Sequence, residues 1–136
     1  MIGIYNGTQH EINIYSIEDT TAIEDGRKLI LKEGAVPLVV VPSGKNLNCV
    51  KSNSNAPSSF EVIGLPASAI KGAVNFTSYD PLPEGAVGKV VIVSNLYRSA
   101  VKELGGDTSM FATVDGVVYL SSADKRPCGC LGLAIG

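Results

Sequence analysis

Cys128 and Cys130 stand one residue apart near the end of the chain, directly after Asp124, Lys125, Arg126 and Pro127, in the stretch SSADKRPCGCLGLAIG. Two close cysteines are the residue types of a metal or redox centre, and the polar tripeptide is that of a ligand contact. With Cys49 and His10 they make four ligands of the right type for zinc. The spacing argues otherwise: Cys-x-Cys is tighter than the usual ligand pairs, and Cys49 and His10 each stand alone. Small cysteines are common core residues, so packing is the favoured reading. A Cys–His nucleophile would depend on the only histidine, His10, at the start of a strand where it more often packs or caps locally. No Gly-x-Ser-x-Gly elbow is present. Glu18-Asp19 and Glu24-Asp25 read as solvated turns. No enzyme activity and no cofactor are expected.

Anion binding is better supplied. No Walker A sequence occurs, nor a G-x-G-x-x-G after a strand. A helix starting at Asn95 offers free N–H groups and the positive end of its dipole. Arg98 and Lys102, four apart on it, form a like-charge pair costing about 0.2–0.5 kcal/mol, which a solvated face tolerates or an anion offsets. Lys125 and Arg126 would join them if the closing strand lies near the helix, and Lys45 in PSGK is a further candidate. Tyr97, Phe111 and Tyr119 could stack on a base. Such a basic, aromatic-lined pocket suits a compact phosphorylated ligand.

The composition fits that reading. The chain has 136 residues, 45% hydrophobic, with net charge −2 and mean hydropathy +0.22. This predicts one globular domain spanning residues 1–136 and argues against disorder and against binding long nucleic acid, which needs a basic face. No apolar stretch approaches the roughly 20 residues of a membrane span. No signal peptide is read, and three cysteines are consistent with a reducing cytosol, so the sequons at Asn6 and Asn75 read as incidental.

The elements that must position these residues are mostly strands. IGIY and INIYSI, parted by Asn6-Gly7, predict a hairpin or a tight turn, as do the runs around Asp25-Gly26. VPLVVVPSG predicts a buried strand, NSNAPSS a polar surface loop, and the stretch from Phe60 to Gly88 irregular connections. KVVIVS predicts a strand buried on both faces. It runs into NLYRSAVKELGGD, where Leu96, Tyr97, Ala100, Val101 and Leu104 fall at helical spacing, Ser94 or Asn95 caps, and Gly105 stops the helix. MFATVDGVVYLSS predicts two short strands around Asp115-Gly116, and CGCLGLAIG a closing strand. The sum is an α+β domain, mostly antiparallel sheet, with one principal helix in the C-terminal half packed on it.

The order of these motifs — NGTQHEINIY, VPSG, GLP, VVIVSNLYRSA and ADKRPCGCLGL — resembles the first-described Thoeris anti-defence family of small phage-encoded proteins. Matching positions are Asn6, Thr8 and His10; Pro42 to Gly44; Ser94 to Arg98; and Asp124, Gly129, Cys130 and Leu133. The family's Arg-Asp before the tail is Ala123-Asp124 here, with the basic charge moved to Lys125 and Arg126, and NSNAPSS lengthens the middle. The resemblance implies a phage protein acting in the bacterial host cytoplasm: a sponge that sequesters cyclic ADP-ribose-type signals without cleaving them. It also implies a homo-oligomer and binding of cyclic oligonucleotides at separate sites. Asp124 would then accept from ribose hydroxyls and Arg126 pair with a pyrophosphate. Cys128 and Cys130 would be packing residues, with Gly129 and Gly132 permitting close backbone approach. A hydrolase of such nucleotides and a phage assembly protein are the alternatives.

Overall fold

The most apolar run of the chain sits inside the sheet. In the computed structural model, which describes residues 2–24, 26–55, 63–66 and 71–136, Val90–Ile92 form a strand whose Val91 and Ile92 are fully buried. Numbered along the chain, the strands are β1 (Ile4–Asn6), β2 (Ile12–Ile14), β3 (Thr20–Ile23), β4 (Lys28–Leu31), β5 (Val39–Val41), β6 (Cys49–Asn55), β7 (Lys71–Tyr79), β8 (Val90–Ile92), β9 (Phe111–Tyr119) and β10 (Gly129–Ile135). Among the described residues the one α-helix is α1, Asn95–Glu103. The fold class is the predicted one, α+β. None of the described helices is long and apolar enough to cross a membrane.

The main sheet runs β1-β8-β9-β10-β2-β5, with β4 added beside β9 and β3 beside β4; β6 and β7 form a separate ribbon. The longest ladders, β9 with β10 and β6 with β7, are antiparallel, whereas β8 lies parallel to both β1 and β9. Helix α1 is therefore the crossover between two parallel neighbours, the connection such a pair requires. The ends of the strand path meet: Asn6 Nδ2 donates to the Val41 carbonyl at 3.2 Å, and Gly44 N donates to the Asn6 carbonyl at 2.8 Å. The sheet thus curls into a partly closed barrel.

Alternation along β8 divides the core. Val91 and Val93 face α1 and pack with Tyr97, Val101, Phe111, Leu47 and Ala86. Ile92 faces into the curl with Ile12, Val41 and Cys130. Helix α1 forms as its sequence dictates. Ser94 Oγ accepts from Tyr97 N at 3.1 Å, Tyr97, Ala100 and Val101 are buried at i, i+3 and i+4, and Gly105 leaves the helix at φ 84°. Leu96 and Leu104, expected on the same stripe, lie at its margins and are largely exposed.

Several predicted elements differ. Of the two outcomes expected at Asn6-Gly7, the hairpin does not form, since β1 pairs with β8 and β2 with β10 and β5; the chain instead turns locally, with Thr8 N donating to Asn6 Oδ1. Asn6 is buried, so its sequon offers no acceptor for glycosylation. The hairpin at Gly26 forms, Ile23 opposite Lys28; Asp25 lies outside the described residues. Strand β5 is at the end of the path and only Val41 is buried, because it alone reaches the cluster of Ile12, Ile92 and Cys130. The stretch expected to be irregular contains the nine-residue β7, and of NSNAPSS the first three residues belong to β6 while residues 56–59 lie outside the described ones. Asp115-Gly116 does not break β9. Register is continuous across it, with Gly132 opposite Asp115 and Cys130 opposite Val117, and Gly116 takes φ 66° within the strand.

Candidate functional site

The Asn6 side chain organises one wall of a cavity of about 380 Å³. Its Oδ1 accepts from Thr8 N at 2.9 Å and from Thr8 Oγ1 at 2.6 Å, and its Nδ2 also donates to the His10 carbonyl at 2.9 Å. A buried amide with all these partners pins the loop that leads into β2. His10 on that loop and Asn13 on β2 line the cavity. Across from them stand Asn95 at the start of α1, Thr113 and Val117 on β9, and the chain entering β10 at Cys128. Asn13 Nδ2 joins two of these walls by donating to the Cys128 carbonyl at 3.3 Å. A Cβ on Gly129 would stand 2.5 Å from the Asn13 carbonyl, so glycine permits this approach; Gly132, predicted to do the same, faces open space.

The walls are largely apolar with a polar rim. Among the described lining residues Glu11 is the one carboxylate, and neither Lys nor Arg is present. Positive potential comes from the first turn of α1, where the N–H groups of Asn95 and Leu96 have no intrahelical acceptor. Cys128 and Cys130 are free thiols in the same cavity. Burial pushes both above the ordinary thiol range, and the Asp124 carboxylate raises Cys128 further. Both are protonated at neutral pH, which suits packing residues over nucleophiles. His10 shares their cavity, but Cys49 packs on the opposite, helix-facing side. Among the described residues no three His, Cys, Asp or Glu side chains are placed to hold a metal.

The predicted contacts separate into groups. Asn95 lines the cavity. Tyr97 and Phe111 do not, and the base-stacking role expected of them is corrected: they are 1% and 3% exposed. Their rings pack against each other at 5.7 Å, and the Tyr97 hydroxyl donates to the Asp80 carbonyl. The helical spacing that buries Tyr97 also removes it from solvent. Lys102 is exposed in the last turn of α1, roughly 10 Å along the axis from Asn95, where a cation complements the dipole. Arg98 is half-buried, one turn in, with its Nε enclosed and without a partner. It is not a lining residue. Lys45 is exposed beside β1, its N–H donating to Tyr5 Oη at 2.6 Å; Tyr5 packs on the helix-facing core, so Lys45 is also away from the cavity.

Asp124, Lys125 and Arg126 occupy the loop between β9 and β10. Asp124 closes a turn, its Oδ2 accepting from Ser121 N at 3.2 Å, and Lys125 and Arg126 are exposed. Pro127, next in the chain, is a cavity wall. The entry to the closing strand and the helix start thus line one cavity, but none of Arg98, Lys102, Lys125 and Arg126, which the anion reading brought together, is among its lining residues. What the sequence reading missed is the floor formed by Val114 and Val117, together with the roles of Asn13 and Thr113. The Asn-x-Thr-x-His spacing was the one available signal for the first wall. Comparison with protein-family models, with curated proteins and with solved structures finds no match.

Proposed function

We propose that this chain is a phage anti-defence protein that binds and sequesters a compact cyclic nucleotide of the cyclic ADP-ribose class in the host cytoplasm, without cleaving it. The observation that carries the reading is the cavity itself: a largely apolar lining, hydrogen-bonding side chains with Glu11 the one carboxylate among them, and a helix N-terminus opening onto it. A base fits against Val114 and Val117, ribose hydroxyls meet Asn13 and Thr113, and a pyrophosphate is drawn to the first turn of α1 and to Arg126. Protonated thiols and the scarcity of charged groups favour binding over bond breaking. Sequestration at roughly nanomolar affinity, about −12 kcal/mol, requires most of the ligand to be enclosed. One small domain rarely encloses so much of a ligand alone, so we infer a homo-oligomer in which a second copy completes the site.

One observation favours a second reading: His10 and Cys128 line the same cavity, the residue types of a hydrolase acting on the same ligands. Calorimetric titration with cyclic ADP-ribose, followed by heating the complex and analysing what is released, separates them. Intact ligand supports the sponge, and Arg126→Ala then weakens binding about tenfold, the loss of one charge-assisted contact. A cleaved product establishes the hydrolase. No binding of cyclic ADP-ribose, its isomers or cyclic oligonucleotides favours an assembly protein.

A further inference from the structure

Lys28 reaches across the sheet to a loop 94 to 96 positions away in sequence. On the side away from β3, strand β4 pairs with the far end of β9, Leu29 opposite Val118 and Ile30 opposite Tyr119. That register sets Lys28 level with Val117, two residues before β9 ends, and its long stem carries the ammonium onward to the chain that follows Tyr119. Its Nζ donates to the carbonyls of Ser122 at 2.8 Å and Asp124 at 2.7 Å, and stands 4.4 Å from the centre of the Tyr119 ring. An ammonium has three donors on one point charge, so it can serve two diverging carbonyls and an aromatic face together.

The loop has few other restraints. Its base is fixed where Cys128 N returns to the Val118 carbonyl at 2.8 Å, and its tip by the Ser121–Asp124 turn. Ser121, Ser122 and Ala123 are exposed, as are Lys125, Arg126 and Pro127. Between tip and base lie the exposed Lys125 and Arg126, and then Pro127 and Cys128, which line the cavity.

We propose that Lys28 is the positioning residue of this site: its ammonium fixes the Ser122 and Asp124 carbonyls and so sets where Asp124, Arg126 and the Pro127–Cys128 wall stand. The effect on ligand rests on the nucleotide reading above; the effect on the wall does not. The test uses the Cys49→Ser chain, in which Cys128 is the accessible thiol because Cys130 is buried. Lys28→Met keeps the aliphatic stem and removes the charge, and Lys28→Arg keeps a cation with several donors. The readouts are trypsin cleavage after Lys125 (the Arg126–Pro127 bond resists), maleimide labelling of Cys128, and affinity for cyclic ADP-ribose.

Lys28→Met is expected to speed cleavage and labelling about tenfold each and to weaken affinity about tenfold, the loss of charge-assisted bonds to two carbonyls. Lys28→Arg restores all three to within about threefold of the parent. If thermal melting shows Lys28→Met unfolded, Tyr119→Leu replaces it and gives the same signs at about threefold, since only the ring contact is lost. Unchanged cleavage or labelling overturns the proposal. So does a released loop with unchanged affinity in a chain that binds. If the parent binds no cyclic ADP-ribose, the nucleotide reading has failed, and cleavage and labelling alone decide whether Lys28 positions the wall.

Discussion

Tyr97 shows how one residue can carry two incompatible sequence signals. An aromatic ring beside a helix start suggests a base-stacking surface, whereas its place at i, i+3 and i+4 with Ala100 and Val101 says that it faces the core. The second signal wins because burying an aromatic face is worth several kcal/mol, far more than an exposed ring gains by waiting for a ligand. The burial has a consequence for pH. Desolvation, reinforced by Asp80, raises the Tyr97 hydroxyl from 10.0 to about 12. The native state therefore resists an ionisation that the unfolded chain accepts. This contribution to stability is complete below pH 10 and is lost as pH rises from 10 toward 12. At pH 8, Tyr97→Phe should cost about 1 kcal/mol, the hydroxyl's hydrogen bond to the Asp80 carbonyl. Above pH 10 the gap between the two proteins should close. Urea midpoints across that range check it, and a constant gap would mean that the native state does not restrain the hydroxyl.

At the scale of elements, local chemistry was legible and strand partners were not. The Tyr97–Ala100–Val101 face of α1, its Ser94 cap and its Gly105 exit are written within a dozen residues and are observed, whereas Leu96 and Leu104 on the same spacing are exposed. Three Asn-Gly or Asp-Gly dipeptides looked alike, yet only the one at Gly26 joins a hairpin. Such a dipeptide permits a left-handed residue; whether the chain then reverses depends on what lies alongside. Strand β1 finds β8 far along the sequence, and β9 continues through Gly116 because β10 pairs with it on both sides of that residue. Gly116 combines φ 66° with a virtual Cβ 3.2 Å from Leu131 Cβ. Gly116→Ala should thus lower stability by about 1–2 kcal/mol through backbone strain, with an unchanged urea m-value. A loss no greater than at an ordinary strand position would show that β9 bends there without needing glycine.

Across the whole molecule, the candidate site is a product of closure. The loop pinned by Asn6, the start of α1, the middle of β9 and the entry to β10 are adjacent only because the sheet curls until β1 meets β5. Sequence motifs marked the first, second and fourth of these. The β9 floor was invisible, since valines exposed on a strand resemble the scattered apolar residues of any surface. Val117 is 38% exposed on that floor and outside both core clusters. Its replacement can fill the cavity while the fold persists, which truncating Tyr97 or Phe111 cannot do. Val117→Trp should leave the melting temperature nearly unchanged, within about 0.5 kcal/mol, as for surface sites. It should also abolish calorimetric binding of cyclic ADP-ribose. The chain has no other tryptophan, so the new indole also reports directly on the cavity, and its emission should not respond to added ligand. Full affinity in a folded Val117→Trp protein would place the nucleotide outside this cavity; lost affinity with intact folding would locate it there, on a site no single stretch of the chain encodes.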